Sequence, residues 1–150
     1  MDYLVFIHII AAIILLGNII TAAFWKIRAE FSKDPSHINR AVRNVMFADY
    51  VFTLPGILLL LITGFALAMK SNYPLQELNW LTASLVLFIV TGMIWGFILV
   101  PLQRKMIRYS NNDELQKAEY TRVSRTWDII GTIAVMIPLV ILYLMVTKPF

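Results

Sequence analysis

Four long apolar runs constrain the fold of this chain more than any other feature of its sequence. They cover Tyr3 to Trp25, Tyr50 to Met69, Trp80 to Pro101 and Ile129 to Thr147. Each is close to the roughly 20 residues that a helix needs to cross a hydrocarbon core about 30 Å thick. The runs show no alternation of period two, and backbone groups in lipid must bond within their own segment. The sequence therefore predicts an all-α, integral membrane four-helix bundle that forms one domain over residues 1–150.

Composition excludes several classes of protein. Apolar residues make up 59% of the 150 positions and charged residues only 15%, against roughly 45–50% and about 25% in soluble domains. A small soluble enzyme is excluded because so short a chain could not bury that much apolar surface. Nucleic-acid binding is not expected despite the net charge of +4. The chain has no cysteine, so disulfides and thiolate metal sites are excluded, and no other metal cluster is predicted.

Basic residues are concentrated in two of the three connections between the apolar runs. Because basic loops of membrane proteins face the cytoplasm, the pattern predicts that both termini lie outside. Membrane lipids are the expected partners of these charges. The two connections hold 11 of the 13 basic residues, namely Lys26, Arg28, Lys33, Arg40, Arg43, Arg104, Lys105, Arg108, Lys117, Arg122 and Arg125.

Helices two and four are expected to extend into the cytoplasm beyond their apolar runs. Asp34 followed by Pro35 is typical of an N-cap and a first helical position. Helix two is therefore expected to run from about residue 35 to Met69, with a kink near Pro55, where a ladder hydrogen bond is lost. Helix four is expected to begin near Asn112.

An arginine precedes an aspartate by six residues at the start of two spans. The pairs are Arg43 with Asp49 and Arg122 with Asp128. They indicate a parallel internal repeat, unless arginine and aspartate are simply common where helices cross a membrane interface. A structural ion pair is the favoured role of both aspartates, and a proton or ligand site is the alternative.

His8 is an ionisable residue that lies inside the first apolar run. Two roles for its side chain stay open. A neutral imidazole would bond a neighbouring helix at the same depth, through Thr63 or Tyr143. Alternatively, His8 would be an axial ligand of haem b, because imidazole is a usual ligand of haem iron. Met69, Tyr143 or Met145 would then serve as the second ligand or as the pocket wall.

Small and polar residues inside the spans are candidates for helix packing. Asn18 is expected to bond a neighbouring helix. Gly92 and Gly96 have the four-residue spacing that lets two helix backbones approach closely. Packing within the bundle is favoured for this pair, and a homodimer is the alternative. Gly64 is expected at the depth of His8, where the lack of a side chain would help to open a pocket.

Several motifs resemble a bacterial family of integral membrane proteins of unknown function, domain of unknown function 2269, over nearly the whole chain. They are His8 in the first span, GNIITAAFWKIRAE from Gly17, DYVFTLPGILLLLITG from Asp49, WGFILVPLQRK from Trp95, RVSRTWDIIG from Arg122 and the terminal LMVTKPF. The resemblance implies a place in the bacterial cytoplasmic (inner) membrane and no established activity. The family is distantly similar to the copper-resistance D and HemJ (protoporphyrinogen oxidase) group, a resemblance that implies haem ligation by His8.

Two functions follow as hypotheses. The first is a non-catalytic, multi-pass membrane protein whose bundle holds a small hydrophobic molecule or a lipid. The second is a b-type haem protein acting in redox or tetrapyrrole chemistry. A transporter is disfavoured, because no carboxylate lies well inside the apolar runs to relay protons or ions.

Overall fold

The described part of the chain forms four long helices. The structure, a computed structural model, describes residues 2–111 and 117–150. The expected beginning of helix four near Asn112 lies outside these residues. Each helix is long and apolar enough to cross a membrane, and the described residues contain no strand, so the predicted all-α four-helix fold is confirmed. The helices are α1 (Asp2–Phe31), α2 (Pro35–Lys70), α3 (Trp80–Tyr109) and α4 (Lys117–Thr147).

Two of the helices contain a π-helical turn just before a proline. Asp49–Thr53 in α2 is followed by Leu54 and then Pro55, and Trp95–Leu99 in α3 is followed one residue later by Pro101. Proline has no N–H and clashes with the carbonyl four residues earlier. In the π turn, the N–H just after the segment bonds the carbonyl five residues back, which gives the proline room. The sequence predicted an interruption at the first proline but not at the second.

All four helices continue past their apolar runs at one end of the molecule, which we call the basic end (residues 26–48, 100–111 and 117–127). The sequence predicted this extension for helices two and four only. The extra turns of α1 and α3 supply buried residues that a four-helix core requires. The hydrophobic core lies at this end and in the adjoining part of the spans, as a cluster of Ala22, Ile38, Val42, Val45, Leu99, Met106, Tyr120, Val123, Trp127 and Ala134.

Away from the basic end, the chain is organised as two helical hairpins. There α1 packs on α2 and α3 packs on α4. The two hairpins meet mainly where the basic-end segments of α2 and α3 pack together and where α1 contacts α4. Only 11–22% of each apolar span is buried inside the chain, so most of the apolar surface is left for the surrounding lipid.

Glycine permits a close approach of backbones between α1 and α2, at a position that the sequence did not single out for packing. A Cβ atom on Gly56 would lie 3.3 Å from the Cβ of Leu15 and 3.6 Å from the carbonyl oxygen of Ala11. A Cβ on Gly92 or Gly96 would meet nothing within 4 Å. The close packing expected at Gly92 and Gly96 is therefore not found within the chain, because that face of α3 points away from the other described helices.

Replacing Gly56 with leucine should destabilise the protein by about 1–3 kcal/mol, the usual cost of overpacking. The new side chain must push α1 and α2 apart, because Leu15 and Ala11 already occupy the space it needs. Thermal unfolding in detergent measures the loss, and Gly96→Leu is the matched control, with little change expected. Equal stability of the two variants would contradict the close approach at Gly56.

Candidate functional site

A buried carboxylate joins three helices at the level of the two π turns. The Oδ1 atom of Asp49 accepts hydrogen bonds from Nδ2 of Asn18 at 3.1 Å and from Oγ1 of Thr53 at 2.9 Å. Its Oδ2 atom accepts from Nε1 of Trp95 at 3.3 Å and from Nε2 of Gln103 at 2.8 Å. We call these five residues the Asp49 cluster. Asp49 and Trp95 are each the first residue of a π turn, so the turns present both side chains to the same interior point.

The Asp49 cluster suits an ionised carboxylate. Two carboxylate oxygens offer about four acceptor sites and no donor, and all four partners here are donors. Within residues 2–111 and 117–150, no basic side chain lies within 4 Å of this carboxylate. The dipoles of neutral groups, rather than a counter-ion, therefore offset the cost of burying Asp49, which is only 5% exposed.

A second polar cluster surrounds the side chain of Lys26, which is completely buried. Its Nζ atom lies 3.0 Å from Oε1 of Glu30, 2.8 Å from Oγ of Ser124 and 2.9 Å from Oδ1 of Asp128. It also lies 4.8 Å from the centre of the Trp127 ring. The three protons of the ammonium group are thus matched by three accepting residues, of which Glu30 also has its Oε2 atom 3.2 Å from Nζ. These contacts, which we call the Lys26 cluster, join α1 to α4 at the basic end.

The two aspartates of the suspected repeat have different surroundings. Asp128 pairs with Lys26, whereas Asp49 accepts from neutral donors only. Neither aspartate pairs with the arginine that lies six residues before it in the sequence. Arg43 donates to Asn39 and Asn111, and Arg122 is exposed on α4 with no ion pair in the described part of the chain.

His8 bonds the neighbouring helix. Its Nδ1 atom lies 2.8 Å from Oγ1 of Thr63, one of the two partners named from the sequence. The Thr63 hydroxyl donates its proton to the carbonyl of Leu59 at 2.6 Å, so this pattern assigns the proton of the imidazole to Nδ1 and leaves a lone pair on Nε2. A Cβ on Gly64 would lie 3.4 Å from Cε1 of His8. The ring of His8 therefore lies beside Gly64, and a pocket at this depth stays a prediction.

The suggested co-ligands of His8 are distributed over the surface. Met69 is 73% exposed and Tyr143 is 60% exposed, while Met145 is partly buried. No hydrogen bond between His8 and Tyr143 is present in the described residues. No group of three or more histidine, aspartate and glutamate side chains in residues 2–111 and 117–150 could hold a metal ion.

A groove of about 640 Å³ lies between α1 and the basic-end half of α2. This volume is within the range of about 300–1,000 Å³ that is typical of small-molecule sites. The α1 wall includes Asn18, Thr21 and Trp25. Because Asn18 both lines the groove and donates to Asp49, the groove lies directly beside the Asp49 cluster.

The lining of the groove changes from polar to apolar along α2. His37, Arg40 and Asn44 line it towards the start of the helix, and residues further along include Val45 and Phe52. His37, Arg40 and Asn44 are three and four residues apart and so lie along one side of the helix, and Val45 and Phe52 are seven apart and lie along the neighbouring side. The side chains of His37, Arg40 and Asn44 make no hydrogen bond or ion pair within the described residues. The α2 side of the groove is therefore amphipathic, with uncommitted polar groups towards the start of the helix, and the α1 side adds the polar side chains of Asn18 and Thr21.

Sequence analysis missed two central residues of these clusters. Lys26 was grouped with loop charges, although Glu30 four residues later is the spacing of a helical ion pair. Gln103 was not singled out, because the extension of α3 was not predicted. Gln103 could have been recognised as a polar residue on the same helix face as Leu99 and Met106, both of which are buried.

Comparison with known proteins identifies the family of the chain. The family model described as "Predicted integral membrane protein (DUF2269)" matches residues 2–149. No curated protein and no solved structure matches the chain significantly. The match covers nearly the full length, including all four helices, the Asp49 and Lys26 clusters and the groove. The chain therefore belongs to the DUF2269 family of integral membrane proteins.

Proposed function

We propose that this protein is a non-catalytic, multi-pass protein of the bacterial inner membrane that binds a membrane amphiphile in the groove between α1 and α2. The observation that carries the proposal is the change of the groove lining from polar side chains to apolar ones along α2. A molecule with a polar head and an apolar tail would place each part against a surface of its own kind. The tail of a membrane amphiphile is already in hydrocarbon, so its contacts with the groove would add little affinity. The polar groups would supply most of the selectivity and set the orientation of the molecule.

The orientation of the protein in the membrane is part of this proposal. The basic end carries 11 of the 13 basic residues and would face the cytoplasm. The head of the amphiphile would then lie at the cytoplasmic surface, with its tail towards the membrane centre. Reporter fusions after Tyr73 and at Phe150 should report the outer side, and one at Ser110 the cytoplasm. The inverse pattern would overturn the orientation.

Filling the groove tests whether it binds an amphiphile. Ala41 lines the groove and is half-buried, so Ala41→Trp would place an indole in the space that the ligand needs. We expect native mass spectrometry of the protein extracted from membranes to show one bound lipid per chain, and Ala41→Trp to lose it. Val86→Trp adds an indole to an exposed face of α3 and should keep the lipid. Equal lipid retention by both variants would exclude the groove as the site.

Haem binding at His8 is the second candidate function. The observation that favours it is the bond between Nδ1 and Thr63, which leaves the lone pair of Nε2 for a ligand. A hydrogen bond on the other nitrogen also fixes the orientation of histidines that bind metals. His8 would hold the iron, and the haem would supply electron-transfer chemistry on the α1–α2 hairpin.

The visible absorption spectrum tests the haem hypothesis. If His8 binds iron, protein prepared with haem available should show a Soret band that weakens or shifts in His8→Gln, because glutamine does not replace imidazole as a strong ligand. His37→Gln removes the other histidine of the chain and should leave the band unchanged. A wild-type protein without a chromophore under these conditions would exclude haem binding.

A further inference from the structure

The mouth of the groove contains one acidic and one basic side chain that do not pair with each other. Asp34 and Arg40 both line it, yet no ion pair joins them. One oxygen of Asp34 accepts from the backbone N–H of Ser36 at 3.1 Å and caps the helix. The described residues show no other hydrogen bond to this carboxylate. The mouth therefore offers a negatively charged hydrogen-bond acceptor, Asp34, and a positively charged hydrogen-bond donor, Arg40.

The order of these groups along α2 sets the order of charges that a ligand must have. The carboxylate of Asp34 lies at the very start of the helix, His37 and Arg40 follow within two turns, and Asn44 comes one turn later. Asp34 and Arg40 are six residues apart, and both line the groove. Beyond Asn44 the lining becomes apolar. The α2 side of the groove thus presents, in order, a negative group, positive or donor groups, a neutral amide and apolar side chains.

We infer that the groove binds an aminophospholipid of the phosphatidylethanolamine type, an inference that rests on the proposed function. In such a lipid a primary ammonium is outermost, a phosphate follows it across a two-carbon link, and the glycerol esters and the tails come next. The ammonium is placed at Asp34, the phosphate at Arg40 and His37, the ester oxygens at Asn44 and the tail against Val45 and Phe52. Each part of the lipid meets a group of complementary charge or polarity in the same order.

This assignment separates three common headgroups. Phosphatidylglycerol lacks the ammonium and would leave Asp34 without a partner beside an added negative charge. Phosphatidylcholine has a quaternary ammonium that cannot donate a hydrogen bond to Asp34. Of the three headgroups, only phosphatidylethanolamine offers a primary ammonium that donates to Asp34 together with a phosphate that accepts from Arg40, both through charge-assisted hydrogen bonds, which are the stronger kind.

Lipid competition in nanodiscs tests the assignment with two substitutions in the groove. The full-length protein is placed in nanodiscs of phosphatidylethanolamine mixed equally with either phosphatidylglycerol or phosphatidylcholine, and the retained lipid is identified by native mass spectrometry. We expect phosphatidylethanolamine to be retained preferentially in both mixtures. Asp34→Asn keeps a good cap for α2 and should reduce the preference over phosphatidylglycerol about two- to fivefold. Arg40→Gln should weaken retention of every phospholipid about five- to tenfold.

Control variants distinguish the inference from general attraction to the basic end. Arg125→Gln removes the same charge from the exposed face of α4 and should change neither value. A loss as large as that of Arg40→Gln would overturn the assignment. If the wild type retained phosphatidylglycerol as strongly as phosphatidylethanolamine, or more strongly, the assignment of the headgroup would be wrong, while the proposed function would stand. If Ala41→Trp retained as much lipid as the wild type, both the proposed function and the assignment of the headgroup would be wrong.

Discussion

Lys26→Met should destabilise the protein by about 2–3 kcal/mol. Removing one partner of a fully buried ion pair typically costs about 3–5 kcal/mol, because a charge is left uncompensated. Here the side chains of Glu30 and Asp128 keep 21% and 41% of their exposure, so water screens part of the loss. The contact between α1 and α4 at the basic end also disappears. Thermal unfolding in detergent, calibrated against wild type, measures the change.

Two further variants separate the charge effect from the loss of a long side chain. Lys105→Met makes the same substitution at an exposed position of α3 and should be within about 0.5 kcal/mol of wild type. Adding Glu30→Gln and Asp128→Asn to Lys26→Met removes the uncompensated carboxylates and should recover most of the stability. If Lys26→Met alone were as stable as the wild type, the Lys26 cluster would not hold α1 and α4 together.

Asp49→Asn should cost about 2–3 kcal/mol, although the side chains are nearly the same size. The amide replaces one acceptor oxygen with a donor nitrogen, which would then face the donors of Trp95 and Gln103 or those of Asn18 and Thr53. Each buried donor left without a partner costs about 1–3 kcal/mol. The charge-assisted character of the remaining bonds is lost as well. Because the cluster joins α1, α2 and α3, the loss should appear in the global unfolding transition.

Asp34→Asn is the matched control for this experiment. It makes the same chemical change at an exposed N-cap, where asparagine and aspartate are about equally effective, and should leave stability almost unchanged. A second variant, Asn18→Leu, removes both donated bonds of that amide and should also destabilise the protein. If Asp49→Asn proved neutral while Asn18→Leu did not, Asp49 would have to be protonated in the folded protein, contrary to the arrangement of four donors around it.

The sequence by itself determined the four helices and their approximate lengths. Runs of about 20 apolar residues leave no other structure in lipid, because backbone groups must be satisfied within the segment. The cap at Asp34 and the interruption near Pro55 were also predictable, since both depend on neighbours along the chain. Thr63 was named as one of two partners for His8 because both residues lie at the same depth of adjacent spans.

Contacts between helices were decided only by the tertiary structure. A lysine near the end of an apolar run has the same local sequence whether its ammonium faces water or, like that of Lys26, is enclosed by another helix. Likewise, a glycine spacing shows where two backbones could approach, yet the rotation of each helix selects Gly56 and leaves Gly96 open. The two π turns alter that rotation and bring Asp49 and Trp95 to one point. Rotation about the helix axis depends on the packing of the whole bundle, which is why local sequence could place these residues along the membrane normal but not around it.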